Sequence, residues 1–180
     1  MQYRWVSLRS VYEADMPWLF GLLCDPGRNQ LWFRDRSVFD QSQFEAVWRL
    51  WMNRDISAKF IILANDQPVG LCFDTHRTLE DGHSEVTVLL ESSATGRGTG
   101  VFATALFADW LFRTLPLRRL KFEVLEFNFQ VLNILRKLHI HRYAVIPEDR
   151  LHNGRYWSRE CFAISREEWP ALKQQILRAG

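Results

Sequence analysis

Apolar residues along this chain recur at intervals of two in some stretches and of three to four in others, and the changes of interval mark its elements. Tyr3 to Leu8 alternates and reads as a short strand. From Ser10 the spacing lengthens through Ala14, Trp18, Leu19, Leu22 and Leu23, predicting a helix that Asp25-Pro26-Gly27 ends. Residues 28–39 are charged and aromatic without a repeat. A second helix follows from a cap at Asp40 or Ser42, with Phe44, Val47, Trp48 and Trp51 on one side. Strands are predicted over Lys59–Ala64, 69–73 and His83–Leu90, separated by turn chemistry at Asn65-Asp66-Gln67-Pro68 and Glu80-Asp81-Gly82. A helix over 101–115 stops at Pro116. Then come a strand over Arg119–Leu125 and a helix capped by Asn128 with Val131, Leu132, Leu135 and Leu138 on its apolar side. Strands over 143–146 and 157–164 pair across a polar loop at 149–155, and Ser165-Arg166-Glu167-Glu168 is a capping-box pattern opening a last helix.

The resulting order, β-α-α-β-β-β-α-β-α-β-β-α, predicts an α+β fold: a mixed, mostly antiparallel central sheet flanked by helices. No linker or repeat interrupts it, so residues 1–180 are expected to form one domain. Composition changes this picture little. The chain is 47% hydrophobic and long enough to bury a core, yet no stretch reaches the roughly 18 apolar residues of a membrane span. Its start has no apolar leader, which predicts a cytoplasmic protein. Cys24, Cys72 and Cys161 are odd in number and far apart, as expected of free thiols in a reducing compartment. A net charge of +2 with no basic tail gives no reason to expect nucleic acid or a membrane as partner.

The candidate chemistry starts at Thr95-Gly96-Arg97-Gly98-Thr99-Gly100, between a strand and a long helix. Glycines on alternate positions leave backbone N–H groups unshielded, and the helix behind them turns its unpaired donors and positive dipole end to the same spot. That is an anion-binding loop, suited to a cofactor's phosphates. A P-loop is excluded because no lysine follows the glycines. Gly98 to Ala103 fits the dinucleotide pattern GxGxxA, with Glu123 about 20 residues further on. That motif must turn directly out of its strand, however, and Glu91 to Arg97 intervene.

Over residues 85–140 the chain resembles the GNAT superfamily of acyl-CoA-dependent N-acetyltransferases, in which a strand is followed by R/Q-x-x-G-x-G/A and a helix, then a strand, an Asn and a helix ending near Gly-Phe. The correspondents are Glu85 to Leu90, Thr95 to Gly100, Lys121 to Leu125, Asn128, and Arg136 to Ile140. The element order extends the resemblance to the whole chain. Asn153-Gly154-Arg155-Tyr156-Trp157 and Glu167-Glu168-Trp169 look like the branch holding ribosomal-protein N-terminal acetyltransferases and many small-amine acetyltransferases.

The resemblance implies acetyl-CoA as cosubstrate. Thr95, Gly96, Arg97, Gly98, Thr99 and Gly100 would hold its phosphates, with its arm in a cleft between splayed strands 85–90 and 120–125. Leu90 would offer a main-chain contact near the thioester. Asn128 would fix the far side of the cleft, serve as a plain helix cap, or do both. The acceptor would be a small-molecule primary amine or, alternatively, a protein N-terminus, acetylated directly in a ternary complex. Attack needs a neutral amine, and Glu85, opposite Val86 and Val88, is the candidate base, with His83 and His76 behind it. Trp32 and Asp35, with 149–155, would border the acceptor site. Several positions depart from the pattern: Thr95 stands at the family's Arg or Gln, Val131 and Leu135 at its proton-donating Ser and Tyr, and His139-Ile140 at its Gly-Phe. Tyr143, His139, His141 or water would then protonate the leaving thiolate, unless the chain binds acyl-CoA without catalysis. No metal set is recognisable around His139 and His141. The resemblance leaves room for a homodimer.

Overall fold

The computed structural model describes residues 2–25, 40–52 and 57–179. Eight strands form one sheet in the order β1-β2-β3-β4-β5-β6-β8-β7. They are β1 Gln2–Tyr3, β2 Val6–Ser10, β3 Lys59–Ala64, β4 Gln67–Thr78, β5 His83–Leu90, β6 Arg119–Leu125, β7 His141–His152 and β8 Arg155–Ser165. Every neighbouring pair is antiparallel except β5 with β6. The helices are α1 Met16–Leu23, α2 Gln41–Met52, α3 Thr99–Thr114, α4 Phe129–Lys137 and α5 Trp169–Ala179. This is the expected α+β class.

Each sheet face has its own core. On one, Phe107, Ala108 and Leu111 of α3 pack against Leu120, Phe122 and Phe162 of the sheet, with Leu132 and Leu135 of α4 and Leu172 and Ile176 of α5. On the other, Leu19, Leu22 and Leu23 of α1 and Phe44 and Trp48 of α2 cover Ile61, Leu71 and Phe73. Trp48, stacked 5.9 Å from Phe44, is therefore core; the side chain of Trp51 lies outside the described residues. This second core draws on β3, β4 and β5 alone, so among the described residues no helix of it reaches β6, β8 and β7.

Four boundaries differ from the sequence pattern. The first strand is two, because Arg4 (φ 53°) turns the chain between β1 and β2. Ser10 caps no helix: it pairs with Phe60 in the β2–β3 ladder, Tyr12 stays extended, and α1 starts only at Met16 with Pro17 in its first turn. β4 runs on to Thr78, past residue 73. The polar loop expected at 149–155 is strand, closed by a two-residue turn at Asn153 (φ 50°) and Gly154 (φ 75°). Positive φ at both turn residues is the arrangement that matches the twist of a hairpin and that Asn-Gly favours, so the turn chemistry outweighed the polarity of its neighbours.

Other signals hold. Ser165 and Glu168 form the capping box, the Glu168 carboxylate accepting from Ser165 N at 2.9 Å and Ser165 Oγ accepting from Glu168 N at 3.1 Å. Beside it Arg166 donates to the carbonyls of Phe112, Leu115 and Leu117, closing the end of α3. No disulfide joins Cys24, Cys72 and Cys161. Among the described residues no helix is long and apolar enough to cross a membrane.

Candidate active site

The parallel ladder between β5 and β6 covers only His83↔Arg119, Ser84↔Leu120 and Glu85↔Lys121. β5 stays paired to β4 through Leu90, and β6 to β8 through Leu125. The sheet thus divides into two paired halves that part company after Glu85. A cleft of about 540 Å³ fills the gap, walled by β5 from Val86, β6 from Phe122, the glycine loop and α4. Because it passes between strands, residues of both faces line it: Phe122 and Val124 from one, Thr87, Leu89 and Glu123 from the other.

The glycine loop closes the wide end. Gly98 caps α3 in the left-handed region (φ 79°, ψ −8°), and the first helical bond runs from Phe102 N to Gly98 O at 3.0 Å. The amides of Thr99, Gly100 and Val101 precede that bond and are left without a partner in the helix's own ladder, and Gly98, Gly100 and Val101 line the cleft. A Cβ on Gly100 would sit 3.3 Å from Leu90 Cδ1, so the loop packs directly on the end of β5. That contact places Leu90 at the loop end of the cleft, five residues from Glu85, or about 17 Å at the rise of an extended strand. Thr95 donates its hydroxyl to Ser92 O at 2.7 Å, closing its own turn. Gly96 and Arg97 are exposed, and the Thr99 side chain is buried in the core. Across the cleft Asn128 caps α4, its side chain accepting from Val131 N at 3.5 Å, and it lines the wall as well.

The narrow end carries the charge. Glu85 holds the last paired position and accepts from or shares a proton with His76 Nδ1 at 2.9 Å. Alternation puts Lys121 and Glu123 of β6 and Cys161 of β8 on the same face as Glu85. Glu123 is ion-paired with Arg159, which also clasps Asp149 at 2.5 Å. Burial lowers the Arg159 pKa, but its bonds to Asp149 and Glu123 outweigh that and hold the guanidinium charged. The Tyr143 hydroxyl, on an irregularity in β7, lies within reach of the Cys161 thiol. Burial, then Cys161 and the carboxylates of Glu123 and Glu85, push its pKa up, so it keeps its proton at neutral pH. His83, sharing the strand end, is held below the usual imidazole range by burial and by Lys121.

A model of the GNAT acetyltransferase domain matches residues 6–141. The chain belongs to that family. Among solved structures, the GNAT fold recurs in spermidine N-acetyltransferase from Vibrio cholerae in complex with CoA and spermine, 16% identical, with a TM-score of 0.84 over 92% of this chain and 98% of that one. A T. thermophilus protein described as an acetyltransferase is 20% identical, with a TM-score of 0.81 over 99% of this chain and 95% of that one. At these identities the likeness is one of fold. No curated protein matches the sequence significantly. The match is to the family as a whole and does not single out the ribosomal-protein branch.

The GNAT frame makes the departures concrete. Val131 and Ile134 of α4 are apolar, line the cleft and are still more than one-third exposed, while Leu135 is buried. His139 and His141 are exposed, and His141 lies toward Glu168 at the start of α5. By register His141, paired to Ala163 and through it to Lys121, shares the face of Glu85 with Tyr143, but only Tyr143 lies beside Cys161 and the carboxylates of Glu123 and Glu85. Trp32 and Asp35 lie outside the described residues. Sequence reasoning weighed Glu123 only within the dinucleotide pattern, reached Asp149 only as part of the 149–155 segment bordering the acceptor site and missed Arg159; the alternation of β6 was the available signal for Glu123. Among the described residues, no three His, Cys, Asp or Glu gather as a metal site.

Proposed function

We propose that this GNAT protein moves an acetyl group from acetyl-CoA to a primary amine of a small molecule, by direct attack in a ternary complex. The observation that supports the reading is the cleft itself: Gly98, Gly100 and Val101 at the start of α3 line it at one end, Val86 and Phe122, next to the last paired residues Glu85 and Lys121, line it at the other, and Glu123 of β6 lies on its wall. The residues fit that ligand. Gly100 has no side chain where phosphates must approach, and Val131 and Ile134 present apolar surface that the arm would cover. Acetyl-CoA supplies the activated acyl group.

The chain's own residues do the rest. Amides of Thr99 to Val101 bind pyrophosphate, with Gly96, Gly98 and Arg97 around them. The main chain at Leu90 holds the arm near the phosphates, which moves its expected contact away from the thioester and leaves Val86 to Val88 closer to it. Asn128 keeps α4, the opposite wall, in place. On the open face, Glu85 governs removal of the acceptor's proton and Glu123, fixed by Arg159, attracts the ammonium. Tyr143 donates to the departing thiolate, in the place of the family's α4 hydroxyls. The role of Trp32 and Asp35, outside the described residues, in acceptor choice is tested by substitution: Asp35→Ala is expected to raise the acceptor's KM while acetyl-CoA affinity stays unchanged. The structurally similar spermidine acetyltransferase supports a small amine over a protein N-terminus.

The test is acetyl-CoA-dependent thiol release with a panel of diamines, polyamines, aromatic amines and N-terminal peptides. Turnover of small amines at least tenfold faster than of peptides is expected. Faster peptide turnover would replace the acceptor class.

A further inference from the structure

The bond between His76 and Glu85 joins an exposed imidazole to a carboxylate at the cleft's narrow end. His76 sits in a break of the β4–β5 register between Thr75 and Thr78, one strand away from the cleft. Its backbone is at φ 48°, a left-handed conformation uncommon for residues with a side chain, though histidine takes it more readily than most. The surroundings here are explicit. Asp74, fully buried, takes two bonds from Arg77 at 2.7 and 2.8 Å, one from Ser84 Oγ at 2.6 Å and one from Ala58 N at 2.6 Å. Arg77 is thereby drawn inward to Asp74 on the α3 side of the sheet. Its neighbour His76 is left reaching across the other side, where Nδ1 meets Glu85 Oε2 at 2.9 Å. The ring is 69% exposed and the carboxylate only 22%.

A carboxylate on Nδ1 fixes the neutral ring in one tautomer, with the proton on Nδ1 and a free basic lone pair on Nε2. We infer that His76 and Glu85 work as a dyad, in which Nε2 of His76 is the atom that takes the proton of the acceptor ammonium. The inference rests on the reading of Glu85 as the residue that governs this deprotonation, and it names the acceptor atom. One N–H bond of the ammonium breaks and an N–H bond to Nε2 forms. The electron pair stays on the amine nitrogen, which becomes the nucleophile. Glu85 keeps its negative charge and steadies the imidazolium, which then gives the proton to solvent from its exposed edge.

The experiment is a double-mutant cycle of His76→Ala and Glu85→Ala, using acetyl-CoA and the amine turned over fastest in the panel, with acetylated product read by mass spectrometry and folding by thermal melts. Each single variant is expected to lose roughly 10²-fold or more in kcat/KM, and the double variant no more than either alone. Added imidazole should restore at least tenfold of the His76→Ala loss and none of the loss in a His76→Ala variant that also lacks Glu85. Near-normal turnover in Glu85→Ala would overturn the reading of Glu85 itself. A dead Glu85→Ala beside a His76→Ala enzyme of near-normal rate would leave Glu85 acting alone and overturn the dyad. Additive losses without imidazole rescue would overturn it too, and a lowered melt with unchanged turnover would reduce the bond to a surface ion pair.

Discussion

β5 has two edges with opposite fates. On one, it pairs with β4 from His83 to Leu90; on the other, it pairs with β6 for three residues and then stands apart. The closed edge is backed by core residues such as Leu71 and Cys72, both fully buried. The open edge is backed by a loop of glycines and by half-exposed apolar residues of α4. Main-chain pairing that would have completed a ladder is given up there, and the fold holds because each half of the sheet keeps its own outer partner. In the proposed reading, stability comes from the closed edge and binding from the open one. Substitutions on the two sides should therefore fail in different ways.

The largest expected effect is at the open edge. If the loop holds phosphates as proposed, a valine at Gly98 or Gly100 crowds their approach to the α3 amides; at Gly98 it also meets a left-handed backbone, and at Gly100 its Cβ lies 3.3 Å from Leu90 Cδ1. Calorimetric titration with acetyl-CoA should show no measurable binding for either, while Gly100→Val keeps a cooperative melt. Preserved affinity in both would remove the phosphates from this loop. On the closed side, Phe107 of α3 is fully buried and packs on Phe60 of β3. Phe107→Ala should cost about 3–5 kcal/mol in denaturant unfolding without changing the KM of whatever enzyme stays folded.

Between those extremes, Glu85→Gln keeps shape and loses charge at the end of the ladder. Turnover should fall roughly 10²-fold with acetyl-CoA affinity unchanged, which steady-state kinetics and titration separate. A smaller loss belongs to the capping box: Ser165→Ala should destabilise the fold by about 1 kcal/mol and leave catalysis alone.

The smallest effect is one of pH. The Arg9 guanidinium, bound to both Asp15 oxygens at 2.7 Å, holds that carboxyl below the usual range. A folded pKa below the unfolded one means stabilisation that is complete above about pH 4 and lost as pH falls through the folded value. For so accessible a pair it should amount to no more than about 1 kcal/mol. Melting temperatures should hold from pH 7 to 5 and drop below 4, less steeply in Asp15→Asn.

The closed edge was legible in the sequence and the open one only in part. The apolar run of Lys59–Ala64 and the alternation of His83–Leu90 mark strands, and the glycine spacing marks the loop that opens α3, because these are local patterns. Where β5 and β6 separate is not local. It depends on which outer neighbour each strand keeps, and nothing in Val86 to Leu90 differs from a strand paired on both edges. Glu85 could be placed by alternation and by family resemblance. His76 could not, since its reach to Glu85 depends on a register break held by Asp74, Arg77 and Ser84. Ser10 shows the same limit at smaller scale: a good cap residue became a ladder residue because β3 was there to pair with it. Asn153-Gly154 is the opposite case, a legible hairpin turn obscured by the polar residues around it.

If the separation of β5 from β6 exists to hold acetyl-CoA with its reactive end at Glu85, the most direct measurement is a crystal structure with acetyl-CoA or CoA bound. Pyrophosphate is expected on the amides of Thr99 to Val101, the pantetheine arm between β5 and β6, and the sulfur nearer Glu85 than Leu90. An arm lying outside that gap, or a sulfur turned toward the glycine loop, would contradict it.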